Sequence, residues 1–239
     1  MKLSAPIYVL KQQAKILSRQ EGIPLHQALD RIANREGFTA WSLLSAKVTP
    51  TVQKPVSTLL AQLRSGDLVL LGSRRGQGKT RLSIELSIQM MRQGNQAAFF
   101  TLDFTALEVA HCFKALGEDM NAFLNRFLVD ESDQICAEYI LSRLASAPAN
   151  TLVVIDYLQL LDQKRENPDL TSQVQQLRNF ARERQLIILC LSQIDRRYDP
   201  ADRPCPGIDD VRLPNPLDLS LFDKTCFLQQ DTMQIASSV

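Results

Sequence analysis

The sequence has no stretch of about 18 consecutive apolar residues, the length that a membrane-spanning helix needs. Its first residues also lack the apolar run of a secretory signal, so we expect a cytoplasmic protein with no membrane partner. The five cysteines are odd in number and no two form a C-x-x-C pair, which argues against a disulfide framework and a zinc site. Internal repeats are absent as well. With 45% apolar and 22% charged residues, the composition is that of an ordinary globular protein.

The overall charge is nearly neutral, with a formal net charge of +1, and by itself it favours no class of partner. The distribution is uneven, because residues 1–50 carry seven Lys and Arg against three Asp and Glu, while the rest of the chain carries 20 against 23. This N-terminal excess of positive charge has two interpretations that the sequence leaves open. It is either a solvated face or a surface that docks on a partner or on nucleic acid.

The 239 residues correspond to about 1.6 domains of ordinary length, so one domain with a small additional unit is an expected arrangement. Residues 1–47 place apolar residues at helical spacing on both sides of Gly22-Ile23-Pro24, which predicts a small helical module. Its two apolar stripes are Leu10, Ala14 and Leu17, then Leu25, Ala28, Leu29 and Ile32. Residues 48–56 change to Thr, Val, Lys and Pro, a composition that predicts a linker.

The main domain, predicted at 57–239, alternates short apolar runs with longer helical stretches. The apolar runs lie at 67–72, 97–102, 151–155 and 186–191. Helical stretches lie at 80–92, between the second apolar run and residue 144, and at 172–184. Two further strands are predicted at 225–230 and 232–236. Buried strands joined by crossover helices are typical of a mostly parallel sheet with helices on both faces. The sequence therefore predicts an α/β domain preceded by a small all-α module.

A phosphate-binding loop is predicted between the first strand and the helix that follows it. After Gly72 the chain reads Ser73, Arg74, Arg75, Gly76, Gln77, Gly78, Lys79 and Thr80. This segment matches the pattern G-x-x-x-x-G-K-[ST] except at its first position, where Ser73 replaces glycine. The backbone amides of such a loop and the dipole of the following helix attract phosphate oxygens. We expect residues 73–80 to bind a nucleotide, with Lys79 on the β- and γ-phosphates and Thr80 on Mg²⁺.

A carboxylate on the metal side of this site is predicted at Asp156, because the apolar run Leu152-Val153-Val154-Ile155 leads directly into this acid. A carboxylate at the end of a buried strand is fixed in position and can hold Mg²⁺ beside a nucleotide. Taken alone, an acid after a strand is explained as well by a turn. Together with the phosphate-binding loop, Asp156 predicts a site for ATP and Mg²⁺.

Four ordered motifs resemble the ATPase domain of DnaB-type replicative helicases, a branch of the RecA-like fold. They are Arg74 with Gly78-Lys79-Thr80, then Phe99-Phe100-Thr101-Leu102-Asp103, then Ile155-Asp156-Tyr157-Leu158-Gln159-Leu160-Leu161, and then Leu191-Ser192-Gln193-Ile194-Asp195-Arg196. The resemblance covers residues 56–236. It implies a RecA-like ATPase that moves on single-stranded DNA, usually as a hexameric ring. It also implies that Asp156 is the Walker B acid, that Asp103 stands where the catalytic base belongs, and that Gln193 senses the γ-phosphate.

Two departures from the family's pattern predict weak ATP turnover. The family has Glu where this chain has Asp103, and the loss of one methylene places the carboxylate roughly 1.5 Å farther back. Glu108 is an alternative base, although an ordinary surface position on a helix explains it better. The family's Lys-x-Arg finger has no counterpart after the strand predicted at 232–236, so the chain alone is expected to be a feeble ATPase. This expectation changes if a partner supplies a finger, or if one of four arginines acts as one: Arg196, Arg197, Arg203 or Arg212.

The loops expected to touch single-stranded DNA are 163–166 and 196–216. The longer loop contains four Arg and four Asp, and a formal charge of zero predicts weak DNA affinity. Two functions therefore stay open, a helicase-like ATPase of DNA replication or another DNA transaction, and a non-motor ATP-dependent regulator or adaptor that docks a protein partner through residues 1–47. A phosphate-binding loop kept only for structure is a third. Homo-oligomer formation is left open as well.

Overall fold

The structure is a computed structural model of the chain, and it describes residues 4–5, 7–48, 55–164, 166–200, 203–213, 215–229 and 232–237. The chain divides into two compact units, 1–53 and 54–239. Residues 49–54 of the predicted linker lie outside the described residues, and residues 55 and 56 begin a helix. In the part of the chain that the structure describes, no helix combines the length and the hydrophobicity needed to cross a bilayer.

The described part of the first unit contains three helices, α1 (Ile7–Glu21), α2 (Leu25–Arg35) and α3 (Trp41–Val48). Both predicted apolar stripes contribute to its core, but Leu25 is 41% exposed, so the buried face of α2 is shifted toward Ala33. The backbone amide of Trp41 donates to Asp30 Oδ1 at 2.8 Å and fixes the start of α3. The buried residues of this unit are Leu10, Ala14, Ala28, Ile32, Ala33 and Leu44.

The second unit is an α/β domain, as the sequence predicts. Its described strands are β1 (Leu68–Ser73), β2 (Ala97–Thr101), β3 (Phe127–Asp130), β4 (Leu152–Asp156), β5 (Ile187–Gln193), β6 (Lys224–Gln229) and β7 (Thr232–Ser237). Its described α-helices are α4 (Pro55–Gln62), α5 (Lys79–Arg92), α6 (Ala106–Ala115), α7 (Ala137–Arg143) and α8 (Leu170–Arg184). Short 3₁₀ helices lie at Met120–Phe123, Leu158–Asp162, Ile208–Asp210 and Leu219–Leu221.

The strands form one sheet in the order β3-β2-β4-β5-β1-β6-β7, in which β7 alone is antiparallel to its neighbour. Apolar clusters cover both faces of the sheet, because the central strands are buried on both sides. The carboxyl ends of the parallel strands meet at one edge, where Ser73 lies opposite Gln193 and Thr101 lies opposite Asp156. The loops that carry the predicted site therefore all leave the sheet at this edge.

The prediction is wrong at β3, because the sequence pattern predicts only helices between the second apolar run and residue 144. Phe127–Asp130 instead pairs in parallel with β2 and forms an outer strand of the sheet. Only Asp130 of its four residues is buried. A strand this short and half-buried has neither the continuous apolar run of the central strands nor a clear alternation, so its sequence does not mark it as a strand.

Two further features of the second unit come from close packing. A Cβ added to Gly72 of β1 would lie 2.9 Å from two ring carbons of Phe227, so this position has room only for glycine. All five cysteines are free thiols. Burial raises the pKa of the Cys190 and Cys226 thiols to about 12, so these two cysteines are poor nucleophiles.

Candidate nucleotide-binding site

The predicted phosphate-binding loop leaves β1 and enters α5 through two glycines with left-handed backbone. Gly76 has φ +80° and Gly78 has φ +88°, values that L-residues rarely adopt. Apart from the adjacent residues of the chain, no heavy atom lies within 4 Å of a Cβ built on either glycine, so the space beside both is open. Helix α5 begins at Lys79, and its first amides have no partner within the helix. An open loop at the start of a helix is suited to phosphate oxygens.

Ser73, the position where the motif departs from glycine, ends β1 and is fully buried. Its hydroxyl donates to the Arg74 carbonyl at 3.1 Å, and its own carbonyl accepts from the Ile194 amide at 3.1 Å. The serine side chain is therefore directed to the loop's own backbone and supports the start of the loop.

The centre of the site is a contact among Lys79, Thr80 and Asp156. The Thr80 hydroxyl donates to Asp156 Oδ2 at 2.8 Å, and Lys79 Nζ lies 4.0 Å from Asp156 Oδ1. Asp156 is fully buried, and its Oδ1 has no hydrogen-bond partner among the described residues. Burial raises the pKa of the Asp156 carboxyl, while Lys79 and the Thr80 hydroxyl lower it and Asp103 raises it further. A buried carboxylate oxygen without a partner needs a cation or a water molecule.

The donor set fits Mg²⁺. This cation takes oxygen ligands and is usually held by one or two carboxylates together with substrate phosphates. Thr80 and Asp156 offer a hydroxyl and a carboxylate in contact, and the described residues contain no group of three or more His, Cys, Asp or Glu that would hold a metal without a nucleotide. The site can therefore share a cation with a bound triphosphate.

The acid expected to act as the base, Asp103, follows β2 and is exposed at the same edge of the sheet. The Thr101 hydroxyl accepts from the Asp103 amide at 3.1 Å and from the Phe104 amide at 3.2 Å, so the backbone here is fixed. Glu108 is engaged elsewhere, because its carboxylate accepts from the Thr105 amide at 2.8 Å and from the Thr105 hydroxyl at 2.9 Å. This capping box makes Glu108 part of the start of α6.

Gln193 ends β5 beside the phosphate-binding loop and is linked to a network that the sequence analysis missed. The Gln193 carbonyl accepts from the Arg212 amide at 2.8 Å, and Gln159 Nε2 donates to the Arg212 carbonyl at 2.6 Å. Gln159 Nε2 also lies 3.3 Å from the Ser192 hydroxyl. The segment after β4 is therefore joined to the segment after β5. Gln159 lies within the IDYLQLL motif, but the motif gives no sign of this contact.

A cavity of about 690 Å³ adjoins the loop on the side of β5 and β6. Four arginines and one aspartate are among its lining residues, which are Arg74, Arg75, Gln77, Gln193, Ile194, Asp195, Arg196, Pro200, Arg212 and Gln229. Of the four arginines considered as internal fingers, Arg196 and Arg212 line this cavity, whereas Arg203 is paired with Asp210 at 2.8 Å. The surplus of positive charge favours an anionic occupant.

Comparisons with known proteins agree with the predicted family. Residues 112–218 match the sequence model of the DnaB-like helicase C terminal domain. The replicative DNA helicase DnaB of Helicobacter pylori is 24% identical over 204 residues, covering 70% of this chain and 41% of the relative. A probable plasmid replicative DNA helicase of Chlamydia trachomatis is 26% identical over 194 residues, covering 68% of this chain and 43% of the relative. The chain thus spans less than half the length of these relatives.

Solved structures agree on the fold. A DnaB-like replicative helicase, described with its interactions with primase, has a TM-score of 0.59 and 15% identity, covering 97% of this chain and 72% of its own. A KaiC-like protein from Pyrococcus horikoshii has a TM-score of 0.54 and 15% identity, covering 73% and 80%. The prediction of a RecA-like fold is confirmed, and so is the resemblance to the ATPase domain of DnaB-type helicases.

Proposed function

We propose that the unit at 54–239, a RecA-like domain that resembles the ATPase domain of DnaB-type replicative helicases, binds ATP with Mg²⁺ and hydrolyses it in a DNA transaction such as replication. The observation that carries this proposal is the contact of Lys79, Thr80 and Asp156 beside an open loop with two left-handed glycines. These side chains come from two separate strand ends. Their meeting at one edge is difficult to explain by packing alone, because it leaves a buried carboxylate oxygen without a hydrogen-bond partner.

In this proposal the residues at 73–80 bind the triphosphate. Amides of the loop and of the first turn of α5 donate to phosphate oxygens, and the Lys79 ammonium neutralises the β- and γ-phosphates. Thr80 and Asp156 hold Mg²⁺. When bound, the cation would supply positive charge to the phosphate oxygens and lower the cost of the charge that develops during transfer. Burial raises the pKa of the Asp156 carboxyl, and a bound cation would lower it.

Asp103 and Gln193 complete the site as residues that act on the attacking water and the γ-phosphate. Asp103 orients the water and accepts its proton, while the Gln193 amide contacts the γ-phosphate. The fixed backbone at Thr101 limits how far the Asp103 carboxylate can advance. We therefore propose slow turnover, with ATP binding as the stronger property.

The DNA transaction is proposed from the relatives, several of which are replicative DNA helicases. Single-stranded DNA is the proposed nucleic acid, and the segments after β4 and β5 are its proposed contacts. Residue 165 of the first segment and residues 201, 202 and 214 of the second lie outside the described residues.

Self-association is proposed as well, because the resemblance to DnaB-type helicases implies a ring. The free thiols suit the reducing cytoplasm, which is the proposed compartment.

A second candidate is a non-motor regulator or adaptor that binds ATP, hydrolyses it little and docks a protein partner through residues 1–47. The observation that favours it is a basic stripe on α1. Lys11, Lys15 and Arg19 are exposed at intervals of four residues and line one shallow groove. Such a stripe fits an acidic partner or nucleic acid.

One assay separates the two candidates. ATP turnover is measured on the full chain with and without single-stranded DNA, and on a Lys79→Ala variant as the control. Several-fold stimulation by DNA that the Lys79→Ala variant lacks supports the motor. ATP binding with turnover at the background of the variant, with or without DNA, supports the adaptor. ATP binding that does not depend on Lys79 contradicts the proposed site itself.

A further inference from the structure

The end of β6 lies directly beside the start of the phosphate-binding loop. Strands β1 and β6 pair in parallel, with Gly72 opposite Phe227 and Ser73 opposite Leu228. The next residue of β6 is Gln229, which therefore lies next to the point where the loop leaves β1. The sequence does not reveal this neighbour, because more than 150 residues separate the two strands.

Gln229 is a buried polar residue whose hydrogen bonding is incomplete. It is 8% exposed, and its Oε1 has no hydrogen-bond partner among the described residues. A buried acceptor without a donor is costly and is uncommon in native proteins. The side chain also lines the cavity of about 690 Å³ that adjoins the loop. The same amide carries an NH2 group beside this oxygen, so the side chain can accept one hydrogen bond from an occupant of the cavity and donate another to it.

The cavity is lined both by groups that bind phosphate and by an amide oxygen that does not. Its arginines and the loop attract phosphate oxygens, whereas an amide oxygen repels them and needs a hydrogen-bond donor. A nucleotide held by its phosphates at the loop offers such donors only on its base and its sugar. The adenine edge presents the N6 amine beside the N7 acceptor, and a glutamine amide matches this pair with two hydrogen bonds.

We propose that the Gln229 amide recognises the 6-amino edge of the adenine base and so determines which nucleotide this site prefers. The proposal rests on the proposed ATP-binding function of the loop. It assigns Gln229 a role in specificity and none in the reaction itself. The carboxyl end of a strand next to the loop is a favoured position for ligand contacts in a sheet of this kind.

The test compares the binding of ATP with that of purine riboside triphosphate, which lacks only the 6-amino group, by calorimetry on the full chain. The wild type is expected to bind ATP about tenfold more tightly, the factor that one hydrogen bond confers. Gln229→Leu should lose this preference, because leucine fills a similar volume without an amide. Gln234→Leu is the matched control, since Gln234 is exposed on the neighbouring strand β7, and it should keep the preference.

Three results overturn the inference. The first is that the wild type binds both nucleotides equally. The second is that Gln229→Leu still prefers ATP to purine riboside triphosphate. The third is that Gln229→Leu loses a preference for ATP over 2′-deoxy-ATP instead, which would place Gln229 on the sugar. Should the leucine variant fail to fold by circular dichroism, Gln229→Glu replaces it and should keep the preference, because a carboxylate still accepts from the amine. ATP binding that Lys79→Ala does not weaken defeats the proposed function, whereas binding that depends on Lys79 but not on Gln229 defeats only this inference.

Discussion

Replacing Asp103 by Glu should raise ATP turnover. The Asp103 amide is fixed by the Thr101 hydroxyl at 3.1 Å, so the substitution extends the reach of the carboxylate and leaves the backbone where it is. One methylene adds roughly 1.5 Å of reach, and a misplacement of ~1 Å can cost ~10²-fold in rate. We expect Asp103→Glu to increase kcat by about 10- to 100-fold, equivalent to about 1.4 to 2.7 kcal/mol of barrier. The KM for ATP should rise by a smaller factor than kcat, because the glutamate brings its charge closer to the phosphates that Lys79 and the cation neutralise.

The measurement is phosphate release at saturating ATP and Mg²⁺, with and without single-stranded DNA. Asp103→Asn is the matched control, since it keeps the size of the side chain and removes the base, and its rate should fall to the level of Lys79→Ala. That level also measures contaminating ATPases. An Asp103→Glu rate equal to or below the wild type, with ATP affinity unchanged, refutes the assignment of Asp103 as the base.

Three further predictions concern the metal ligands and the packing of β1. Thr80→Val removes a donor to Asp156 and a ligand for Mg²⁺, so ATP affinity measured across a Mg²⁺ titration should depend less on the cation than in the wild type. The unchanged affinity without Mg²⁺ is the control. Gly72→Ala places a Cβ 2.9 Å from the Phe227 ring and should lower the free energy of unfolding, measured in urea, by about 1 to 3 kcal/mol. A second substitution, Phe227→Leu, should restore part of this loss. An unchanged urea midpoint in Gly72→Ala contradicts the close packing. Burial raises the pKa of Asp156 above its ordinary 3.8, so this group stabilises the fold most below that value and loses the contribution as the pH rises through the raised pKa. Asp156→Asn should therefore unfold at a higher urea concentration than the wild type at neutral pH without nucleotide, and the difference should vanish below pH 3.8.

The sequence predicts most of the fold because the central strands are buried on both faces and read as apolar runs. β1 and β4 begin and end within one or two residues of their predicted limits. The same runs predict that Lys79, Thr80 and Asp156 converge, since parallel strands share a carboxyl edge. β3 escapes prediction because its burial is partial, and its pairing with β2 depends on a distant contact rather than on its own residues.

Contacts that depend on strand order could not be predicted at all. Gln229 lies beside the phosphate-binding loop because β6 is the neighbour of β1 in the sheet. The apolar runs in the sequence do not predict this order of strands. The contact of Gln159 with Arg212 likewise joins two segments whose separation in the chain is 53 residues. Motifs mark the residues that touch phosphate, because the chemistry restricts the residue types. They do not mark supporting residues, for which many side chains would serve.

The charge on Asp103 links the two candidate functions to a single side chain. Asp103 already raises the pKa of Asp156, so the two carboxylates repel each other at the site. A glutamate at 103 would advance toward the water and the γ-phosphate, and it would carry its charge closer to the phosphate oxygens that Lys79 and the cation must neutralise. Aspartate avoids part of that repulsion and loses reach, which favours holding the nucleotide over hydrolysing it. The rise in turnover of Asp103→Glu, compared with its change in ATP affinity, therefore measures how far this aspartate limits hydrolysis.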